Sequence, residues 1–223
     1  MMTKPSRFAE ERRSFLSRFQ AGVAAAAALA VGGVARAQGK PAAPIRFEPE
    51  RHAQDDWMDQ VPGKHRMVID TFTVDGFNDA VLWAGNFLLA NRNEYGLKNE
   101  DLAVIIVARH FSTGYGYNSE MWAKYGATLA GRAPSADGAA KEPPKANPSA
   151  AALASLTEQG VRLAVCSMAT RRLAGMIARA SGGTADAVFI ELGANLVSNA
   201  RLVPAGIVAV NRAQERGYTL VSA

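Results

Sequence analysis

Residues 102–108 read Leu102-Ala103-Val104-Ile105-Ile106-Val107-Ala108, seven apolar residues in a row with no polar alternation. A strand with one wet face alternates apolar and polar side chains. An unbroken apolar run bounded by polar residues fits a strand covered on both faces, as in a parallel sheet. Upstream, Met67-Val68-Ile69-Asp70-Thr71-Phe72 is a second short β-branched run. Between the two, Phe77, Ala80, Val81, Ala84, Phe87 and Leu88 recur at helical spacing. They predict a helix that starts at Asp75 or Gly76, runs to about Asn93 and stops at Gly96.

The same alternation continues downstream. Asn118 or Ser119 caps a helix containing Met121, Trp122 and Tyr125, and a further helix runs from Pro148-Ser149 to Gln159-Gly160. Residues 161–165 (Val-Arg-Leu-Ala-Val) form the next strand, followed by a helix over 168–180 closed by Ser181-Gly182-Gly183. Residues 185–193 make a helix whose apolar side docks on the sheet, and a short strand lies near 196–202. Pro204 sits in the first turn of a helix that reaches Arg216 and is stopped by Gly217. Residues 218–221 close the chain as a last strand. Strands alternating with helices of this length imply a single-domain α/β fold, a mostly parallel sheet with helices on both faces. In such sheets sites form at the carboxyl ends of the strands.

Three segments lie outside this pattern. Residues 38–64, with Pro41, Pro44, Pro49 and Pro62, read as an extended arm that docks through Trp57 and Met58, with Asp55 and Asp56 solvated. Residues 131–148 are rich in Ala and Pro and read as a surface loop insertion. Residues 1–37 contain Arg12-Arg13-Ser14-Phe15-Leu16, an uncharged run over 21–34 and Ala35-Arg36-Ala37. The run is too short for a comfortable membrane span. The segment resembles a twin-arginine (Tat) signal peptide with a cleavage site after Ala37, which implies export to the periplasm as a folded protein and no stable membrane insertion once the signal is removed.

The net charge of +5 comes largely from that segment. Six of the 25 Lys and Arg and two of the 20 Asp and Glu lie in residues 1–37, leaving 19 against 18. The remaining chain carries no basic field for nucleic acid. No Walker sequence, Gly-x-Ser-x-Gly elbow or dinucleotide fingerprint is present, so no cofactor is expected. His52, His65 and His110 show no paired ligand spacing, so no metal is expected either.

Two residues fall at strand ends. Cys166, the only cysteine, follows the strand at 161–165 and opens a helix, where main-chain amides favour a thiolate. Arg171 in the following turns adds positive charge, whereas Arg172 reads as a surface arginine. A single cysteine can also be a small buried hydrophobe. His110 follows the strand at 102–108, as a base or hydrogen-bond donor beside the thiol or as a structural residue.

Several segments together resemble DsrE/DsrF-like proteins: residues 104–110 (Val-Ile-Ile-Val-Ala-Arg-His), Glu120-Met121-Trp122-Ala123-Lys124-Tyr125, the stretch 160–166 ending in Cys166, and Leu202-Val203-Pro204-Ala205-Gly206 with Gln214-Glu215-Arg216-Gly217-Tyr218. The resemblance covers about residues 64–223. It implies a three-layer α/β sandwich, assembly into a homo-oligomer (trimer or hexamer), and a cysteine after the third strand that carries persulfide sulfur, the position Cys166 matches. A sulfur donor or acceptor protein is then an expected partner. The export signal, the arm and the insertion depart from the short sulfur-relay members. Two readings stay open: a sulfur-handling or thiol-redox protein with Cys166, His110 and Arg171 as its working residues, or a non-catalytic oligomer that binds a ligand or partner, with Cys166 buried and Trp57, Trp122 and Tyr115 lining the interface or pocket. The apolar residues Phe189, Ile190 and Leu192 leave surface for an oligomer to cover.

Overall fold

A computed structural model of the chain describes residues 48–131 and 142–223. The signal-like segment 1–37 and residues 132–141 of the expected insertion lie outside the described residues. The described residues from Pro49 to Ala223 form one compact unit. Its strands are β1 (His65–Thr71), β2 (Leu102–Ala108), β3 (Arg162–Cys166), β4 (Ala200–Val203) and β5 (Thr219–Ser222). They make one sheet in the order β4-β3-β2-β1-β5, with every pair parallel. The α-helices are α1 (Val74–Tyr95), α2 (Ser119–Leu129), α3 (Ala150–Glu158), α4 (Ser167–Ser181), α5 (Ala185–Ala194) and α6 (Gly206–Gln214). The fold is the α/β single domain that the apolar run of β2 implied.

That run is split between two cores by the strand period. Val104, Ile106 and Ala108 face one side with Ile69 and Val165; there Phe77, Ala80, Ala84 and Leu88 of α1 and Leu173, Ala174 and Ile177 of α4 cover them. Ala103, Ile105 and Val107 face the other side with Val68 and Ala164, against Ala209, Val210 and Ala213 of α6. Seven consecutive buried positions follow from having both faces covered.

Among the described residues the second face has one α-helix to close it, α6, nine residues long. Met58 and Val61 complete that core. The described part of the arm is therefore not extended throughout: Ala53–Met58 is a 3-10 turn packed onto the domain. The docking expected of Trp57 and Met58 is present, but the solvation expected of Asp55 is not. Asp55 is 2% exposed. It lies 3.8 Å from Arg212, and Asp59 accepts from Arg216 Nε at 3.1 Å. The Tyr218 hydroxyl donates to Met58 O at 2.7 Å.

Helix starts differ from expectation by a residue or two, each for a local reason. Thr73, not Asp75 or Gly76, caps α1, its hydroxyl accepting from Gly76 N–H. Asn118 caps α2 as expected, accepting from Met121 N–H. Pro204 precedes α6 instead of lying in its first turn, and the helix ends at Gln214 rather than Arg216. Helix α5 packs chiefly on α4, and its apolar side also reaches the sheet: Val188 and Leu192 join the core of the first face and Gly193 lies against Leu202 of β4. Trp122 and Tyr115 are core residues, with Tyr115 stacked on Phe77 at 4.8 Å and Trp122 donating from Nε1 to Gly114 O at 3.0 Å. Neither is exposed, and Trp122 also lines a hollow between α2 and α5.

Candidate functional site

The carboxyl ends of β1, β2 and β3 lie side by side, and three local devices shape the surface above them. The first is an ion pair. Asp70 near the end of β1 receives both Nε and an Nη of Arg109, at 2.6 and 2.7 Å, across the register from β2. This two-point geometry holds the guanidinium flat over the strand ends. Asp70 is the first cause of the raised Arg109 pKa.

The second is the turn 109–112. Ser112 is fully buried, and its hydroxyl accepts from Arg109 N–H at 2.9 Å and meets Thr71 Oγ1 at 2.8 Å. Phe111 N–H donates to Phe72 O at 3.1 Å. Held from both sides, His110 sits at φ 59°, a left-handed conformation that a non-glycine residue adopts at a cost of roughly 1–3 kcal/mol. Its ring stacks on Phe72, with centroids 4.2 Å apart, and meets Phe111 edge-on at 4.3 Å.

The third is the start of α4. Cys166 is the last residue of β3 and the N-cap of α4, where its Sγ accepts from Ala169 N–H at 3.5 Å. Thr170 donates to Cys166 O at 2.9 Å, and the buried Tyr117 hydroxyl meets Thr170 Oγ1 at 2.5 Å. Tyr117 stays protonated because burial raises its pKa. The backbone that carries the thiol is thus fixed by two hydroxyls in series.

These devices enclose a cleft of about 280 Å³, lined by Cys166, His110, Arg109 and Arg172, with Met168 at its rim and residues 205–207 opposite. Gly206 allows α6 to start close to Arg109: a Cβ there would lie 2.6 Å from Arg109 Cβ. Two of the three residues expected to work together, Cys166 and His110, are therefore in one cleft. Arg171 is not. Its guanidinium lies 4.0 Å from the Phe189 ring centroid and 3.9 Å from Asp186, on the α5 side. Arg172, read from sequence as a surface arginine, lines the cleft instead, 5.6 Å from the Phe111 ring centroid. Asp70 and Arg109 were not singled out beforehand; a carboxylate inside the apolar run 67–72 was the available signal, because a charge there needs a partner. Among the described residues no group of three or more His, Cys, Asp and Glu is placed to hold a metal.

His110 titrates below the ordinary histidine value of 6.5, first because of desolvation and then because of the charges of Arg172 and Arg109. The ring is neutral at pH 7 and able to accept a proton. Its folded-state value lies below the unfolded one, so the contribution to stability is present above 6.5 and is lost as pH falls through the folded value. An NMR titration is expected to give a His110 midpoint below 6.5, and Arg172→Ala is expected to move it upward. An unmoved midpoint would show that Arg172 does not act on the ring.

No family model matches the chain, and no curated protein matches it. Among solved structures it is similar to MTH1491, a protein of unknown function from Methanobacterium thermoautotrophicum, at 18% identity over 72% of this chain and 100% of that one, with a TM-score of 0.41.

Proposed function

We propose that this chain is an exported, DsrE/DsrF-like sulfur-handling protein in which Cys166 takes up sulfane sulfur as a persulfide. The observation that carries the reading is the company Cys166 keeps. Its Sγ faces a cleft shared with a neutral histidine and two arginines, and it sits at the start of a helix with no acidic residue in its first turn. In the proposed step Cys166 sulfur attacks a sulfane sulfur of the donor. A new S–S bond forms at Cys166, the donor's S–S bond breaks, and the donor leaves as the shorter anion. The thiol proton passes to His110 and then to water. Arg172 takes the place that sequence reasoning gave to Arg171, stabilising negative charge on the donor and the leaving group.

Export through the twin-arginine route and assembly into a trimer or hexamer belong to the same proposal. Phe72, Met168 and Ile207 are exposed around the cleft and Ile190 is 69% exposed on α5, which gives a homo-oligomer apolar surface to cover. The second reading, a non-catalytic oligomer with an inert thiol, draws on the 7% exposure of Cys166.

Alkylation kinetics separate the two. Iodoacetamide is expected to label Cys166 in the native, assembled protein at a rate within about tenfold of free cysteine, with a mass by light scattering above that of one subunit. Labelling that requires denaturant would favour the inert-thiol reading. A single-subunit mass would remove the oligomer from either.

A further inference from the structure

Beside the Cys166 cleft lies a second hollow of about 410 Å³. His110 and Arg172 line both. Beyond them the second hollow is mostly apolar, walled by Phe111, Leu129, Leu173 and Met176, with Thr128 as a polar member. Among the described residues no aspartate or glutamate lines either space. Arg109 is already engaged by Asp70, whereas Arg172 makes no ion pair among the described residues and rests only on Phe111. Among the described residues that line the two spaces, the arginine without an ion pair is therefore the one on the shared wall.

We infer that the two hollows form one site for an amphipathic anionic sulfur donor, a thiosulfonate R–SO₂–S⁻ with an apolar R group. The inference rests on the proposal that Cys166 carries sulfur. A small inorganic anion would fill only the first cleft and leave the apolar hollow unused. A hollow of this size lies within the range of ordinary small-molecule sites. With the anionic head at Arg172, the sulfane sulfur reaches toward Cys166 on one side and R enters the apolar hollow on the other. Cys166 sulfur attacks the terminal sulfur, the new S–S bond forms, and the S–SO₂ bond breaks with its electron pair leaving on the sulfinate R–SO₂⁻. The thiol proton goes to His110. Sulfane sulfur changes carrier and no external oxidant or reductant enters.

The test uses the full chain with benzenethiosulfonate and methanethiosulfonate, following by mass spectrometry the gain of one sulfur atom on Cys166. The benzene donor is expected to react at least about tenfold faster, the scale on which a filled apolar pocket discriminates. Met176→Glu, at a half-exposed wall position, is expected to bring the ratio of the two rates close to one. Equal rates in the unaltered protein would overturn the two-part site. A second measurement does not depend on sulfur transfer: benzenesulfinate, but not methanesulfinate at the same concentration, is expected to protect Cys166 from iodoacetamide. Protection without persulfide formation from either donor would remove the carrier reading and leave the binding site standing. Persulfide formation at equal rates without protection would do the reverse.

Discussion

Replacing Asp70 by Ala is expected to destabilise the domain by about 3 kcal/mol, the low end of the cost of breaking a buried ion pair. The low end applies because the Arg109 side chain keeps 24% exposure, while that of Asp70 keeps 9%. The loss comes less from the missing attraction than from the guanidinium left half-buried without its acceptor. It also releases Arg109 from the cleft wall and loosens the turn that holds His110 in its left-handed conformation. For a domain of this size that corresponds to a fall in Tm of about 6–12 °C. Asp70→Asn keeps a neutral acceptor and is expected to cost roughly half as much, since charge-assisted hydrogen bonds are about twice as strong as neutral ones. Thermal and urea unfolding of the two variants check this. A loss below about 1 kcal/mol for Asp70→Ala would show that the pair does not organise the strand ends.

The reading of residues 102–108 carried most of the fold because a run with no polar member leaves one physical solution, a strand covered on both faces. What covers the second face was legible only in part: Trp57 and Met58 read as docking residues, but not as members of a core. The sequence 53–61 looks polar, with three aspartates and two glutamines, and only the shortness of α6 explains why Met58 and Val61 must enter the core. The placement of Cys166 was legible because a strand followed by a helix puts their junction at the sheet edge. The choice between Arg171 and Arg172 was not. Adjacent helical residues point about 100° apart, and which one faces the cleft depends on how Leu173, Ala174 and Ile177 seat α4 on the sheet. The Asp70–Arg109 pair depends on the parallel register of β1 with β2, which places their ends side by side and which periodicity does not encode.

Cys166→Ser is expected to separate chemistry from structure. Serine is a good helix N-cap, and its hydroxyl can accept from Ala169 N–H as the sulfur does now. Stability is therefore expected to stay within about 1 kcal/mol of the unaltered protein. Sulfur uptake is expected to vanish, because an un-ionised hydroxyl is a far weaker nucleophile toward sulfur than a thiol. His110→Ala is expected to slow uptake by about 10²-fold without abolishing it, the usual weight of a positioned proton acceptor. If the serine variant also unfolded, the thiol would be a packing element first.

The most direct measurement is the mass of the native protein after incubation with a sulfane donor, with the modified residue located by fragmentation. The account predicts the addition of one sulfur at Cys166, reversed by dithiothreitol and absent in Cys166→Ser. A thiol left unmodified under conditions that convert free cysteine would contradict it.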